Sequence, residues 1–320
     1  IILGLTLIPV AVLVRPRPGR APRSRARLRR EQAPSLFALV ERVADRVGTA
    51  APDMIVLDHR FEAGIVRLGW RRRAVLRLGA PLWLCLDPGM RVALLAHELA
   101  HDVNADPERG RFVEPALNTI RRLAVGSEAD RSIDEILNGN KRRRPSMVAD
   151  IARMGLWLAN RVFLLVHLAV VRVGAGDHQR AEYFADWVSA KVAGTAATQR
   201  LLDQLLLGRG IVSTVEHNAH RIGPQRWRQL AAELEAGARE QLQLLRQFSR
   251  RSTSMWDRHP PHGLRAELVG FWPNQPAGLV LTQAASDHID RDLAFWFTGY
   301  HRRILGTRMF QESAEGLASG

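Results

Sequence analysis

Cysteine is almost absent from this sequence, with Cys85 alone in 320 residues. That excludes an internal disulfide framework and a zinc site built on cysteines. Lysine is nearly as scarce: Lys141 and Lys191 are the only two, so the excess of 46 basic over 32 acidic residues is carried by arginine. A formal charge of +14 fits nucleic acid, an anionic membrane surface or a general arginine-rich bias. No recognition motif and no basic patch interleaved with aromatics accompanies it, so no nucleic-acid partner is expected. Hydrophobic residues, at 46%, suffice for a sizeable core.

The charge is distributed unevenly. Residues 1–14, IILGLTLIPVAVLV, carry none, and the sixteen residues from Arg15 to Arg30 hold eight arginines. Fourteen apolar residues are too few to cross a bilayer, which takes about 20. The chain does not open on Met, and upstream residues are expected to complete the span. Arginines placed after the apolar run favour a membrane anchor with a cytoplasmic continuation; in a signal peptide they would precede it. Residues 15–34 then read as a basic linker, 35–312 as one domain, and 313–320 as a frayed tail.

Within the domain, Leu36, Leu39, Val40 and Val43 recur at helical spacing between Ser35 and Val47. Short apolar runs follow at 54–58, 64–70, 74–78 and 82–86, bounded by Pro, Gly and Asp. They predict a small antiparallel sheet of three or four strands. Asp87 and Pro88 are suited to the N-cap and first position of a helix reaching about Asn104. Further helices are expected over 177–194, 196–207 and 224–250. The fold class is α+β and mainly helical.

The helix after the strands contains HELAH: His97 and His101 lie four residues apart, with Glu98 next to the first. On a helix both imidazoles face one way and reach one Zn²⁺, and Glu98 is aimed beside it as a general base. The plain alternative is a buried helix with hydrogen-bonded histidines. Against it, Leu94, Leu95 and Leu99 already supply apolar contacts, and three polar side chains need a partner there. A catalytic zinc takes a third protein ligand. Glu182 is the best candidate, with Asp186 one turn on in AEYFAD positioned to accept the spare N–H of a zinc histidine. His217 and His220 are rivals for the third place.

HELAH, AEYFAD and the HPPHGLR segment at 259–265 together resemble the M48 family of zinc metalloendopeptidases, the HtpX-like gluzincins, over roughly residues 35–270. The resemblance implies a zincin-like domain holding one Zn²⁺ per chain through His97, His101 and Glu182, with Glu98 the catalytic base and Asp186 behind a ligand. It implies a protein or peptide substrate, a membrane location and a catalytic domain on the cytoplasmic side. His259, His262 or an arginine would stabilise the oxyanion; the plain reading of the His-Pro-Pro segment is a structural turn. The family's Asn-Ala pair before the active helix is replaced here by FEAGIVRLGW. An extended substrate is expected to pair with an edge strand, either AVLRL or LWLCL. The competing function is a membrane-associated scaffold of the same fold without catalysis.

Residues 154–174 are apolar and long enough to span a membrane, yet His101 precedes them and Glu182 follows. One crossing would put ligands of one ion on opposite faces, and Arg161 would lie in hydrocarbon. The segment is therefore expected to pack on the catalytic domain or to lie in the membrane surface.

Overall fold

The computed structural model describes residues 27–68, 73–103, 179–251 and 260–305, together with isolated helical positions between 154 and 169. The stretch 1–14 expected to belong to an anchor, most of the basic stretch, the 105–150 region, most of 154–174, His259 and the tail lie outside the described residues. The chain divides into two compact units, residues 1–18 with 105–178 and residues 19–104 with 179–320. In the first, Met154, Trp157, Val162 and Leu165 are exposed. No helix among the described residues is long and apolar enough to cross a membrane.

The second unit carries one sheet. Its strands are β1 (Arg27–Leu28), β2 (Met54–Asp58), β3 (Ala63–Leu68) and β4 (Arg73–Gly79), in the spatial order β1-β2-β4-β3. The expectation of an all-antiparallel sheet fails at one place: β2 and β4 run parallel, because β3 steps out to the edge and β4 returns between them. The 59–62 connection must therefore cross the end of β4. It does so over Gly79, where a Cβ would stand 1.9 Å from the Arg60 carbonyl oxygen, and Gly79 N–H donates to Glu62 O at 2.9 Å. Alternation sorts the faces. Ile55, Leu57, Leu76 and Leu78 join the main core, whereas Met54, Val56 and Val75 cluster on the far side with Val66 and Leu68.

Helix α1 (Pro34–Val47) lays Leu36, Leu39, Val40 and Val43 into that core. Each such side chain contributes on the order of 1.5–3 kcal/mol over exposure, which outweighs any propensity term. Gly48 closes the helix at φ +83°, a conformation only glycine takes without strain. The run at 82–86, expected as a strand, lies instead mainly in helix α2 (Ala80–Cys85). All six residues of α2 are buried, so no periodicity was available, and Pro81 presets the first turn.

Helix α3 (Pro88–Val103) starts where Asp87 and Pro88 predict, and Asp87 Oδ1 accepts from Met90 N–H at 2.8 Å. Every residue from Met90 to Ala100 is buried, so α3 is the central helix of the unit. The other helices, in chain order, are α4 (residues 179–193), α5 (Thr195–Leu206), α6 (Gly208–Asn218), α7 (Trp227–Ala238), α8 (Leu242–Arg251), α9 (His262–Phe271), α10 (Gln283–Asp292) and α11 (residues 294–305). The single helix expected over 224–250 is broken: Gly237 lies at the end of α7, and a turn at 239–241 redirects the chain so that α8 packs on α9.

Arg91 holds the first half of α3 in place. Fully buried, it donates to the Trp83 carbonyl at 3.1 Å and to Ser286 Oγ at 2.8 Å, pairs with Asp290 at 2.8 Å, and lies over the Trp83 ring. Burial pulls its pKa down to about 10 against the opposing pull of Asp290. Arg228 of α7 shares Asp290 at 2.5 Å. Asp290→Ala removes the one carboxylate serving both arginines, and is expected to destabilise by about 1.5–3 kcal/mol, read as a lower urea midpoint. Asn at the same position should recover part of that.

Candidate metal centre

α3 and α4 bring the chemistry together inside the second unit. Ser189 Oγ of α4 donates to the Ala93 carbonyl at 3.0 Å and exchanges a 2.9 Å hydrogen bond with Thr198, which fixes α4 against α3. His97 and His101 occupy one face of α3, and Glu182 and Asp186 one face of α4. His97 Nε2 and His101 Nε2 are 3.2 Å apart, and each is 3.5 Å from a Glu182 carboxylate oxygen. Ligands bound at 2.0–2.1 Å to a tetrahedral Zn²⁺ stand roughly 3.3–3.4 Å from one another. One donor atom from each of the three side chains lies within 4.8 Å of the others, so they converge on one place and need only draw closer to close on such an ion. Among the described residues they form the one group able to hold a metal. His217 and His220, the rivals for the third place, lie exposed and outside it.

The far side of His97 is occupied as well. Its Nδ1 lies 3.0 Å from Asp186 Oδ1, which leaves Nε2 turned toward His101 and Glu182. Asp186 also receives Arg265 of α9 through both oxygens, from Nε at 2.7 Å and Nη2 at 2.6 Å. The third guanidinium nitrogen, Nη1, lies 2.8 Å from Glu182 Oε2. Arg265 thus ties the two carboxylates of α4 together from α9. It stands in the HPPHGLR segment, but nothing in the local pattern distinguished it from the chain's other arginines. The usable signal was indirect: a buried Glu-x-x-x-Asp pair needs a cation besides a metal.

Counted formally, Glu98, Glu182 and Asp186 against Arg265 leave two negative charges, the complement of a divalent ion. Burial raises the Asp186 pKa in principle, but the Arg265 hydrogen bonds outweigh it and hold the carboxyl below its ordinary value. At His97 burial opposes protonation, yet the hydrogen bonds to Asp186 and Glu182 prevail and raise its pKa to about 9 without a metal. In the metal-free protein the charged His97 contributes stability fully below its unfolded value of about 6.5, and that contribution disappears as pH rises through about 9. Metal uptake at neutral pH must displace that proton. Calorimetric zinc titrations near pH 7.5, run in buffers of different ionisation enthalpy, should show about one proton released from this position.

Glu98, next to His97, is 9% exposed and close enough to Arg265 to add to the field that keeps the guanidinium charged. His262 opens α9 and stands outside the three-residue group.

No family model matches the chain, and no solved structure matches it. The chain is similar to Protease HtpX of Pseudomonas putida (strain W619), with 27% identity over 194 residues, 59% of this chain. Those residues span 60% of that protein's length.

Proposed function

We propose that this chain is an M48-type zinc endopeptidase cleaving protein substrates. The observation that carries the reading is the convergence of His97, His101 and Glu182, which offer one donor atom each within 4.8 Å of one another, with Glu98 on the same helix as the histidines. The likeness to a protein named as a protease supports it. His97, His101 and Glu182 would hold the zinc, which when bound polarises the scissile carbonyl and makes water a better nucleophile near neutral pH. Asp186 fixes the His97 ring through Nδ1 and so directs Nε2 toward His101 and Glu182. Glu98 accepts the proton of the attacking water and returns it to the departing amine. The candidates for the oxyanion donor are His259, His262 and an arginine; of these, His262 opens the helix that carries Arg265.

The substrate rail is β3. AVLRL belongs to β4, between two other strands, and LWLCL is helical, so neither is an edge. β3 is outermost and lies beside α3. An extended segment can add to its outer side by main-chain hydrogen bonds, which suits cleavage at many sequences. We place the reaction at the cytoplasmic membrane face, on the strength of the uncharged 1–14 stretch and the arginines that follow.

The test joins metal content to activity. Zinc-loaded protein should hydrolyse β-casein, a chelator should stop it, and added zinc should restore it. Glu182→Ala should weaken zinc binding beyond the roughly 10–100-fold typical of losing a supporting partner, and remove activity with it. Parent-like zinc content and turnover in that variant would overturn the ligand assignment.

A further inference from the structure

Asp102 follows His101 directly in the last turn of α3, and Arg67 stands near the end of β3. Arg67 Nε and Nη2 donate to one Asp102 oxygen at 3.0 and 2.7 Å. The other Asp102 oxygen lies 3.5 Å from Thr49 Oγ1, beside the left-handed Gly48 that ends α1. The Asp102 side chain is 9% exposed and that of Arg67 37%.

Strand alternation places Arg67 on the same face of β3 as Ala63 and Ile65, which pack toward the main core. Val66 and Leu68 point the other way, into the cluster with Met54, Val56 and Val75. Packing alone would continue the apolar series at position 67. A guanidinium there makes a directional, charge-assisted contact, which fixes distance and rotation where apolar packing would allow sliding. The contact reaches the residue adjacent to a metal histidine. It therefore sets the outermost strand against the end of the helix that carries the chemistry.

We propose that Arg67 and Asp102 are positioning residues: their ion pair latches the outer edge of β3 at the height of the metal group, so that a peptide paired to that edge presents its scissile bond to Glu98. The inference rests on the endopeptidase reading with β3 as rail. Neither side chain is assigned to the reacting atoms; Arg67 acts through the strand and Asp102 through the end of α3. A partly exposed ion pair contributes little to global stability. Misplacing a reacting group by about 1 Å, by contrast, lowers a rate on the order of 10²-fold. The latch should consequently show in turnover far more than in folding.

The experiment uses the full chain loaded with zinc and fluorescein-labelled β-casein as probe. Arg67→Ala and Asp102→Asn should each lower kcat roughly 10–100-fold per bound zinc. KM should stay within about threefold, and zinc content and urea midpoint near those of the parent. Arg67→Lys should recover part of the loss, and the exchanged pair, Arg67→Asp with Asp102→Arg, should exceed either half alone. Hydrogen exchange at the β3 amides 66–68 should quicken about tenfold in Arg67→Ala. Parent-like kcat in Arg67→Ala overturns the latch, whatever the exchange shows. A fall fully accounted for by lost zinc or lost folded protein overturns it too. A parent that binds zinc and leaves casein intact overturns the endopeptidase reading first, and the latch only as its consequence.

Discussion

Glu98→Gln is expected to lower kcat on casein by about 10²–10⁴-fold while zinc content stays at one per chain. The two side chains have nearly the same shape, and the amide loses only the ability to take and return a proton. Glu98 sits on α3 beside His97, 9% exposed, so the exchange opens no cavity. The three side chains that converge as a group able to hold a metal are His97, His101 and Glu182, and none is altered. Metal analysis and turnover measured on one preparation would separate holding the ion from doing the chemistry. If zinc falls in step with activity, Glu98 belongs among the ligands and the proton must move by another group. Paired with Glu182→Ala, which should lose both properties, the variant gives the site two distinguishable failures.

The grouping of His97, His101, Glu182 and Asp186 was legible in the sequence because helical spacing converts directly into geometry. His97 with His101, and Glu182 with Asp186, are each one turn apart, and a helix leaves side chains so spaced no choice but a shared face. Asp87 and Pro88 announced the start of α3 for an equally local reason: a side-chain oxygen facing a free N–H, then a ring already at helical φ. Local pattern failed wherever the deciding contact was remote. The 82–86 run is buried on every side, and uniformly apolar residues carry neither a 2-fold nor a 3.6-fold period. Whether β2 lies parallel to β4 depends on where β3 is set down, and Gly79, the residue that permits the crossing, reads in isolation as an ordinary strand end. Arg265 is 79 positions from Asp186, and Arg67 35 from Asp102. Among so many arginines, nothing short of the folded arrangement marks these two.

Removing the Arg265 guanidinium should produce the largest change in stability. Asp186 and Glu182 are 1% and 3% exposed, and Arg265 reaches both. Breaking a buried pair from one side leaves an uncompensated charge and costs about 3–5 kcal/mol. Arg265→Met keeps much of the volume and discards the charge, so metal-free protein should lose stability of that order in urea melts. The loss should be smaller with zinc present, since a divalent ion beside Glu182 supplies part of the missing positive charge. Arg265→Lys should fall between, because one ammonium cannot fork onto Asp186 and reach Glu182 together. Acid offers the discriminating measurement. In the parent the Asp186 pKa is held below its ordinary 3.8, so its contribution is present above that value and is lost as pH falls through the lower, folded one. Without Arg265, only His97 is left to oppose burial, so the pKa rises and the carboxyl takes up a proton in milder acid. The variant's deficit should therefore be greatest at neutral pH and shrink toward pH 4. A deficit that stays constant across that range would assign the loss to packing around the arginine stem, and the charge argument for Arg265 would fall.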